Sequence, residues 1–319
     1  MKTMTSALAG ILMIAMGAGA ATAQVQIDKR RPASPTGQVQ IRNSFGSLKV
    51  IGTDAKEVAV TGRLAAGAEG LEFDGDRQEI SIDVGTPEAW SYGSEDDTDF
   101  RSDLEVRVPK MSNVEIETLN APITVSGIDG TLSVETVNGV VVISGNPRSV
   151  TIKGVTGRVE VSAASAEMQV ENVSGPVVLK GAGRNTGVTT TSGAIDVSGK
   201  DFERVELKST AGDIRYEGNF RGDGGIAIEN FSGNVQLSVP AEAAARFKLS
   251  TFSGVIDSAM GPKATKNARR SPYMELRFST AETDFDVTVE TYSGNISLRK
   301  IGEGKPGAAS APAKKEGTE

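Results

Sequence analysis

The chain has no cysteine and no histidine among its 319 residues, and aromatic side chains make up only 5% of it. These absences remove imidazole bases, thiol nucleophiles, iron–sulfur ligation and most zinc sites together. Chemistry based on carboxylate, Lys, Tyr or Ser is what remains, and no cofactor is indicated. Disulfides contribute nothing, yet the length is ample for a buried core without them. Asp and Glu (41) outnumber Lys and Arg (34), giving a net charge of −7. Phosphate contact is driven by clustered cations, so nucleic acid is not an expected partner.

The N-terminus carries Lys2, a mostly apolar run from Ala7 to Ala21, and Ala21-Thr22-Ala23 before Gln24. A positive start, a short apolar core and a small-x-small site read as a secretory signal peptide over residues 1–23, cleaved after Ala23. An uncleaved anchor is the alternative. No later segment approaches the roughly 18 apolar residues of a membrane span. The mature chain is therefore expected to lack a transmembrane segment and to be periplasmic or secreted.

Glycine is plentiful, at 37 residues, and part of it is periodic. With Ala121 as first member, the series runs Gly139, Gly157, Gly175, Gly193, Gly212, Gly233 and Gly254, then Gly294 after an insertion. The steps are 18 residues at first, then 19 and 21. Two places after the glycine every repeat has Ile or Val, from Ile123 through Val141 to Ile296. Apolar columns also stand four places after it, and five and seven places before it. Spacing by twos is strand periodicity and does not fit an amphipathic helix. Each repeat thus carries two short strands, and stacked repeats form a parallel β-solenoid. Nine coils about 4.8 Å apart predict a rod on the order of 40 Å long.

Two places before the glycine stands a column that begins with Leu119, Val137, Val155 and Val173 and ends in Phe231, Phe252 and Tyr292. Its odd spacing from the column five before predicts a bend that keeps both pointing inward. Asn, Ser or Thr directly before most of the glycines can satisfy backbone groups at that corner. Glycine itself fits a positive φ or a close approach of coils. The column four before the glycine mixes Glu117, Glu135, Lys153, Glu171, Lys208 and Glu229, and reads as a solvated face with partly interleaved charge.

Residues 24–113 read as an irregular β region capping the solenoid, with Asn43–Leu48 resembling a degenerate coil. Residues 114–301 are the repeats, and residues 302–319, rich in Gly, Ala, Pro and Lys, read as a disordered tail. An insertion at 86–103 clusters Glu95, Asp96, Asp97, Asp99 and Asp103 without the spacing of a calcium loop. A second, at 262–272, holds Lys263, Lys266, Arg269 and Arg270, a candidate for anionic surfaces but more simply a solvated loop.

Catalysis would have to come from an outward face. Three places after the glycine, successive repeats offer Asp196, Arg215, Gln236 and Asp257. Counted in sequence order, the two carboxylates lie three coils, or about 14 Å, apart. Paired glycosidase carboxylates lie roughly 5 to 9.5 Å apart, and Asp196 with Arg215 fits a cross-strand ion pair. Val140, Val142, Pro176 and Val178 form a mildly apolar strip on that side, either a contact surface or one covered by the cap.

The run Leu104-Glu105-Val106-Arg107-Val108-Pro109, followed by repeats such as Glu290-Thr291-Tyr292-Ser293-Gly294-Asn295-Ile296-Ser297-Leu298, resembles the toastrack domain family of candidate adhesins, over roughly residues 38–300. The resemblance implies an exported or membrane-associated all-β module of bacterial envelopes, with no active-site residues to carry over and roles in adhesion or envelope stress. The expected function is a non-enzymatic binding and scaffolding protein for an envelope protein or polysaccharide. The alternative is a polysaccharide-active β-helix enzyme using outward carboxylates.

Overall fold

The computed structural model describes residues 24–68, 70–84, 100–266 and 272–302. The segment read as a signal peptide, most of the acidic insertion, Arg269 and Arg270, and the tail from residue 303 lie outside the described residues. Among the described residues there are 24 strands and no α-helix.

The strands form two long faces joined at two edges. On the first face lie β6 (Glu79–Val84), β2 (Gln38–Asn43), β8 (Asn113–Asn120), β10 (Thr131–Asn138), β12 (Ser149–Thr156) and β14 (Glu167–Ser174), stacked in parallel in that order. The stack continues through the second halves of β15 (Val177–Ser192), β16 (Ile195–Ala211) and β17 (Ile214–Ser232), then β23 (Asp286–Ser293) and β19 (Arg246–Ser253). The second face stacks β7 (Ser102–Pro109), β3 (Gly46–Thr53), β9 (Ile123–Ile128), β11 (Val141–Gly145) and β13 (Val159–Ala163). It goes on through the first halves of β15 to β17 to β18 (Val235–Val239), β24 (Ile296–Lys300) and β20 (Ile256–Ser258). Eleven rungs result, two more than the glycine series counts, because β2 with β3 and β6 with β7 are rungs of the same stack.

Burial follows the pleat. In β10, Leu132, Val134 and Thr136 are buried while Ser133, Glu135 and Val137 are not. The inward set is therefore seven, five and three places before the glycine, and the expectation that the column two before also points inward is overturned. Val155, Val173, Phe231, Phe252 and Tyr292 are 43–57% exposed. The pleat alternates without a break up to the corner, so the bend falls at the Ser-Gly or Asn-Gly pair itself. The inward place at the corner belongs to a small polar column instead. Asn172 Nδ2 donates to the carbonyls of Gly157, Ser174 and Gly175, and Thr251 Oγ1 donates to that of Gly294.

At the corner, the amide of Gly157 donates to the Ser174 carbonyl and that of Gly175 to the Ser192 carbonyl. Gly157 and Gly175 have φ of 132° and 117°, and a Cβ on either would run into the carbonyl of the corner below. Both reasons for glycine thus act at one position.

The rung order departs from the chain order at both ends. β23 and β24 insert between β17 with β18 and β19 with β20, so the last rung in sequence is the penultimate one in space. At the other end β2 and β3 lie inside β6 and β7, which follow them in sequence. Antiparallel strands then cover the ends. β5 (Glu72–Gly75) pairs with β6, β4 (Glu57–Leu64) with β7, and β1 (Val25–Pro32) with β4. Lys29 and Arg31 of β1 reach across to donate to the carbonyls of Leu71, Phe73 and Gly75 at 2.7–2.9 Å, which ties the two faces together. β22 (Met274–Ser279), itself paired with β21 (Thr265–Lys266), covers β19.

Tyr216 is fully buried against Phe202, with ring centroids 5.2 Å apart, and its hydroxyl has no hydrogen-bond partner. Burial pushes this phenol well above its ordinary range. Tyr216→Phe removes an unsatisfied polar group and is expected to raise stability by about 1 kcal/mol. Gly175→Ala, in contrast, is expected to cost about 3 kcal/mol or more through strain and the clash at the corner. Denaturant midpoints of the two variants test both signs.

Candidate functional site

Asp196, Arg215 and Gln236 occupy one outward column of the second face, in register on neighbouring rungs. Asp257 does not follow Gln236. Ser297 of β24 stands between them, because the last rung in sequence is inserted there. Asp196 and Asp257 are thus four rung steps apart, about 19 Å rather than 14 Å. Arg215 Nη1 meets Asp196 Oδ2 at 3.2 Å, and Arg299 forms the ion pair with Asp257. The column brings no two carboxylates together and each has a cation beside it.

The mixed-charge column of the first face is paired in part. Lys153 meets Glu135 at 2.8 Å, while Lys208 lies 2.6 Å from Glu206 and 3.8 Å from Glu229, all of them exposed to solvent. On the second face Val142, Pro176 and Val178 are half-buried and Val140 is exposed, so none of the described residues covers that strip.

The two edges are chemically distinct. Along the glycine edge the exposed column two before the glycine ends in an aromatic ladder. Phe231 stacks on Tyr292 and Tyr292 on Phe252, each at 4.9 Å and within 6° of parallel. That separation matches the rung spacing, so each ring covers part of its neighbour. Asp213, Asn234 and Asn295 form a second ladder beside it. The oxygen of each side chain accepts the amide of Asn234, Asn295 and Val255 in turn, at 2.8–3.2 Å.

The opposite edge, where the chain loops from one rung to the next, carries an open groove of about 860 Å³. It is lined by the small residues Ala164, Ala166, Gly181, Gly183, Gly199 and Gly218 and by the polar Arg184, Lys200, Asp201, Glu217, Asn219 and Arg221. Glu203 lies 4.0 Å from Arg184 and 3.8 Å from Arg221, holding the two guanidinium groups on one side. Asp201 has φ of +58°, and its amide donates to Asn219 Oδ1 at 2.9 Å. Pairing slips within 180–185 and 199–204, where the 18-residue repeat lies against the 19-residue one and that in turn against the 21-residue one. Sequence reasoning passed over this groove. Its signal is a second column of small residues six places after the corner glycine, at Gly145, Ala163, Gly181, Gly199 and Gly218.

An all-β solenoid with this repeat defines a class of protein built from stacked two-strand rungs. More particularly, the chain belongs to the Toastrack DUF4097 family, whose profile matches residues 37–299. Among solved structures it is similar to a candidate adhesin from Parabacteroides merdae, at 10% identity and a TM-score of 0.43, over 86% of this chain and 95% of that one. A candidate adhesin from Bacteroides fragilis matches at 8% identity and a TM-score of 0.37, over 88% and 99% of the two chains. A candidate lipid-binding protein from Parabacteroides distasonis matches at 10% and 0.26, over 86% and 96%. No curated protein is detectably similar in sequence. Among the described residues no helix is long and apolar enough to cross a membrane.

The Asp196–Arg215 pair is half exposed, so screening leaves it little to contribute. A double-mutant cycle with Asp196→Asn and Arg215→Gln, read by denaturant unfolding, is expected to give a coupling below about 1 kcal/mol.

Proposed function

We propose that this toastrack protein is an exported, non-enzymatic, adhesin-like binding and scaffolding protein of the cell envelope, which holds an envelope protein or polysaccharide in the loop-edge groove. The observation that carries this reading is the groove itself. It spans successive rungs and has several Gly and Ala residues in its lining, so the backbone of an extended polymer can approach it closely. Its walls offer cations, carboxylates and an amide to a polar chain. The face that sequence reasoning singled out for hydrolysis supports the non-enzymatic reading, since Asp196 and Asp257 are too far apart to act on one glycosidic bond.

Capture of cross-linked partners from the cell envelope, together with binding to isolated envelope glycans, tests the proposal. Arg184→Glu, Lys200→Glu and Arg221→Glu combined are expected to reduce retention at least tenfold with unchanged circular dichroism. Unchanged retention would exclude the groove. Glycan cleavage that disappears in Asp196→Ala or Asp257→Ala would replace binding by catalysis. Export is tested by N-terminal sequencing of protein from the periplasm or medium, which is expected to begin at Gln24.

A further inference from the structure

Ten large apolar side chains are exposed among the described residues, and seven of them lie along the glycine edge. Val155, Val173, Phe231, Tyr292 and Phe252 stand two places before the corner, and Val140 and Val255 one place after it. Between the two columns run only the small Ser, Asn, Thr, Ala and Gly corner residues, and the column one place after also holds Arg158, Asp213, Asn234 and Asn295, so the apolar strip is the column two places before, flanked by Val140 and Val255. Concentration on one edge of a monomer is the signature of a contact surface.

The order of side chains along the strip identifies the contact. In space the column reads Leu119, Val137, Val155, Val173, Thr191, Thr210, Phe231, Tyr292, Phe252. One end is aliphatic, the other aromatic, and threonine lies between. A two-fold interface sets residue i against j and j against i, so a strip with unlike halves is complementary to its own reversed copy. We propose that the glycine edge is a homodimer interface in which two copies lie antiparallel about a two-fold axis through the Thr191 rung.

In that register Val155 meets the partner's Phe231, Val137 the partner's Tyr292 and Leu119 the partner's Phe252. The adjacent charged column supplies an independent check. Counting rungs outward from Thr189, which lies on the axis, Glu171 falls opposite the partner's Lys208 and Lys153 opposite the partner's Glu229. Opposite charges therefore meet on both sides of the axis. Glu135 falls opposite the partner's Glu290, which Lys248 holds at 2.7 Å within its own copy. Lys153, 2.8 Å from Glu135, and Lys208, 2.6 Å from Glu206, already have partners in their own copy and would be shared across the interface. A parallel two-fold arrangement would instead put Phe231 and Tyr292 against Asn234 and Asn295. The strip is about eight rung steps long and on the order of 12 Å wide, which buries about 1,000 Å² over both copies and sets a weak, reversible dimer.

The test uses the mature chain, which has no cysteine of its own. Sedimentation velocity over a concentration series is expected to show a monomer–dimer equilibrium. Phe231→Thr combined with Tyr292→Thr, which extends the threonines already present in the column, is expected to weaken it at least tenfold without lowering the unfolding midpoint. Thr191→Cys, on the axis, is expected to form a disulfide-linked dimer on mild oxidation. Phe231→Cys, whose copies would lie about 19 Å apart, is not. Lys208→Glu is expected to weaken the dimer, and Glu171→Lys added to it to restore association. A chain that is monomeric at every concentration, or links as fast through position 231 as through 191, overturns the proposal. The loop-edge groove lies on the other edge, so its ligand binding should survive in the dimer-breaking variants, and the two readings fail separately.

Discussion

The close approach of successive corners governs this structure. Each Ser-Gly or Asn-Gly corner rests on the one below it, with the glycine amide donating to the next rung and no room for a side chain between them. That contact fixes the rung spacing, and the spacing fixes everything periodic about the rod. It sets the Val and Ile columns into continuous contact inside and brings Phe231, Tyr292 and Phe252 to stacking distance outside. It also lets the side-chain oxygens of Asp213, Asn234 and Asn295 each reach the next amide. Burial of β-branched side chains supplies the main driving force, but it would be satisfied by many arrangements of strands. The corner selects one of them.

Much of the fold was legible because the solenoid repeats each physical requirement at a fixed phase. Glycine at the corner, Ile or Val two places later, and alternating apolar residues before it identify both strands of each regular rung. Three features were not legible, for different reasons. The outward direction of the column two before the corner was missed because Phe231 and Tyr292 read as core residues, whereas the inner corner needs polar groups such as Asn172 to satisfy turning carbonyls. The inserted rung at each end is invisible to any periodic argument, since β19 and β23 carry the same pattern and could stack in either order. The order is marked only in three dimensions, by Asn295 lying between Asn234 and Val255 in the ladder. The loop-edge groove left a fainter trace in its second column of small residues and in the change of repeat length from 18 to 19 and 21.

Inserting the chain-terminal rungs has a mechanical consequence. In a simple stack the last rung has one neighbour and frays first, as terminal repeats do when nothing covers them. Here β23 and β24 have neighbours on both sides, and the exposed place falls to β19 and β20, which are internal to the sequence. The other end repeats the device with β2 and β3, and adds the clamp of Lys29 and Arg31 onto the β5 region. Antiparallel strands then cover β6, β7 and β19, which hides parallel edges that would otherwise recruit further chains, while among the described residues no strand pairs beyond β20.

A periodic fold also constrains where chemistry can arise. Every outward position recurs each rung, so a lone pair of catalytic groups has to be assembled against the repeat, and the column of Asp196, Arg215, Gln236 and Asp257 shows how the repeat disperses them instead. What a solenoid makes readily is a column or a trough. Both notable surface features lie where the regular 18-residue repeat gives way to longer ones. One extra residue within 199–204 and two more within 218–225 lie at the groove on one edge, while across the rod the outer corner column changes from valine through threonine to aromatic rings. A lengthened repeat keeps the rung spacing and alters only the perimeter, so each edge can be remodelled without disturbing the core between them. Two chemically distinct edges on one rod are a natural outcome of that separation.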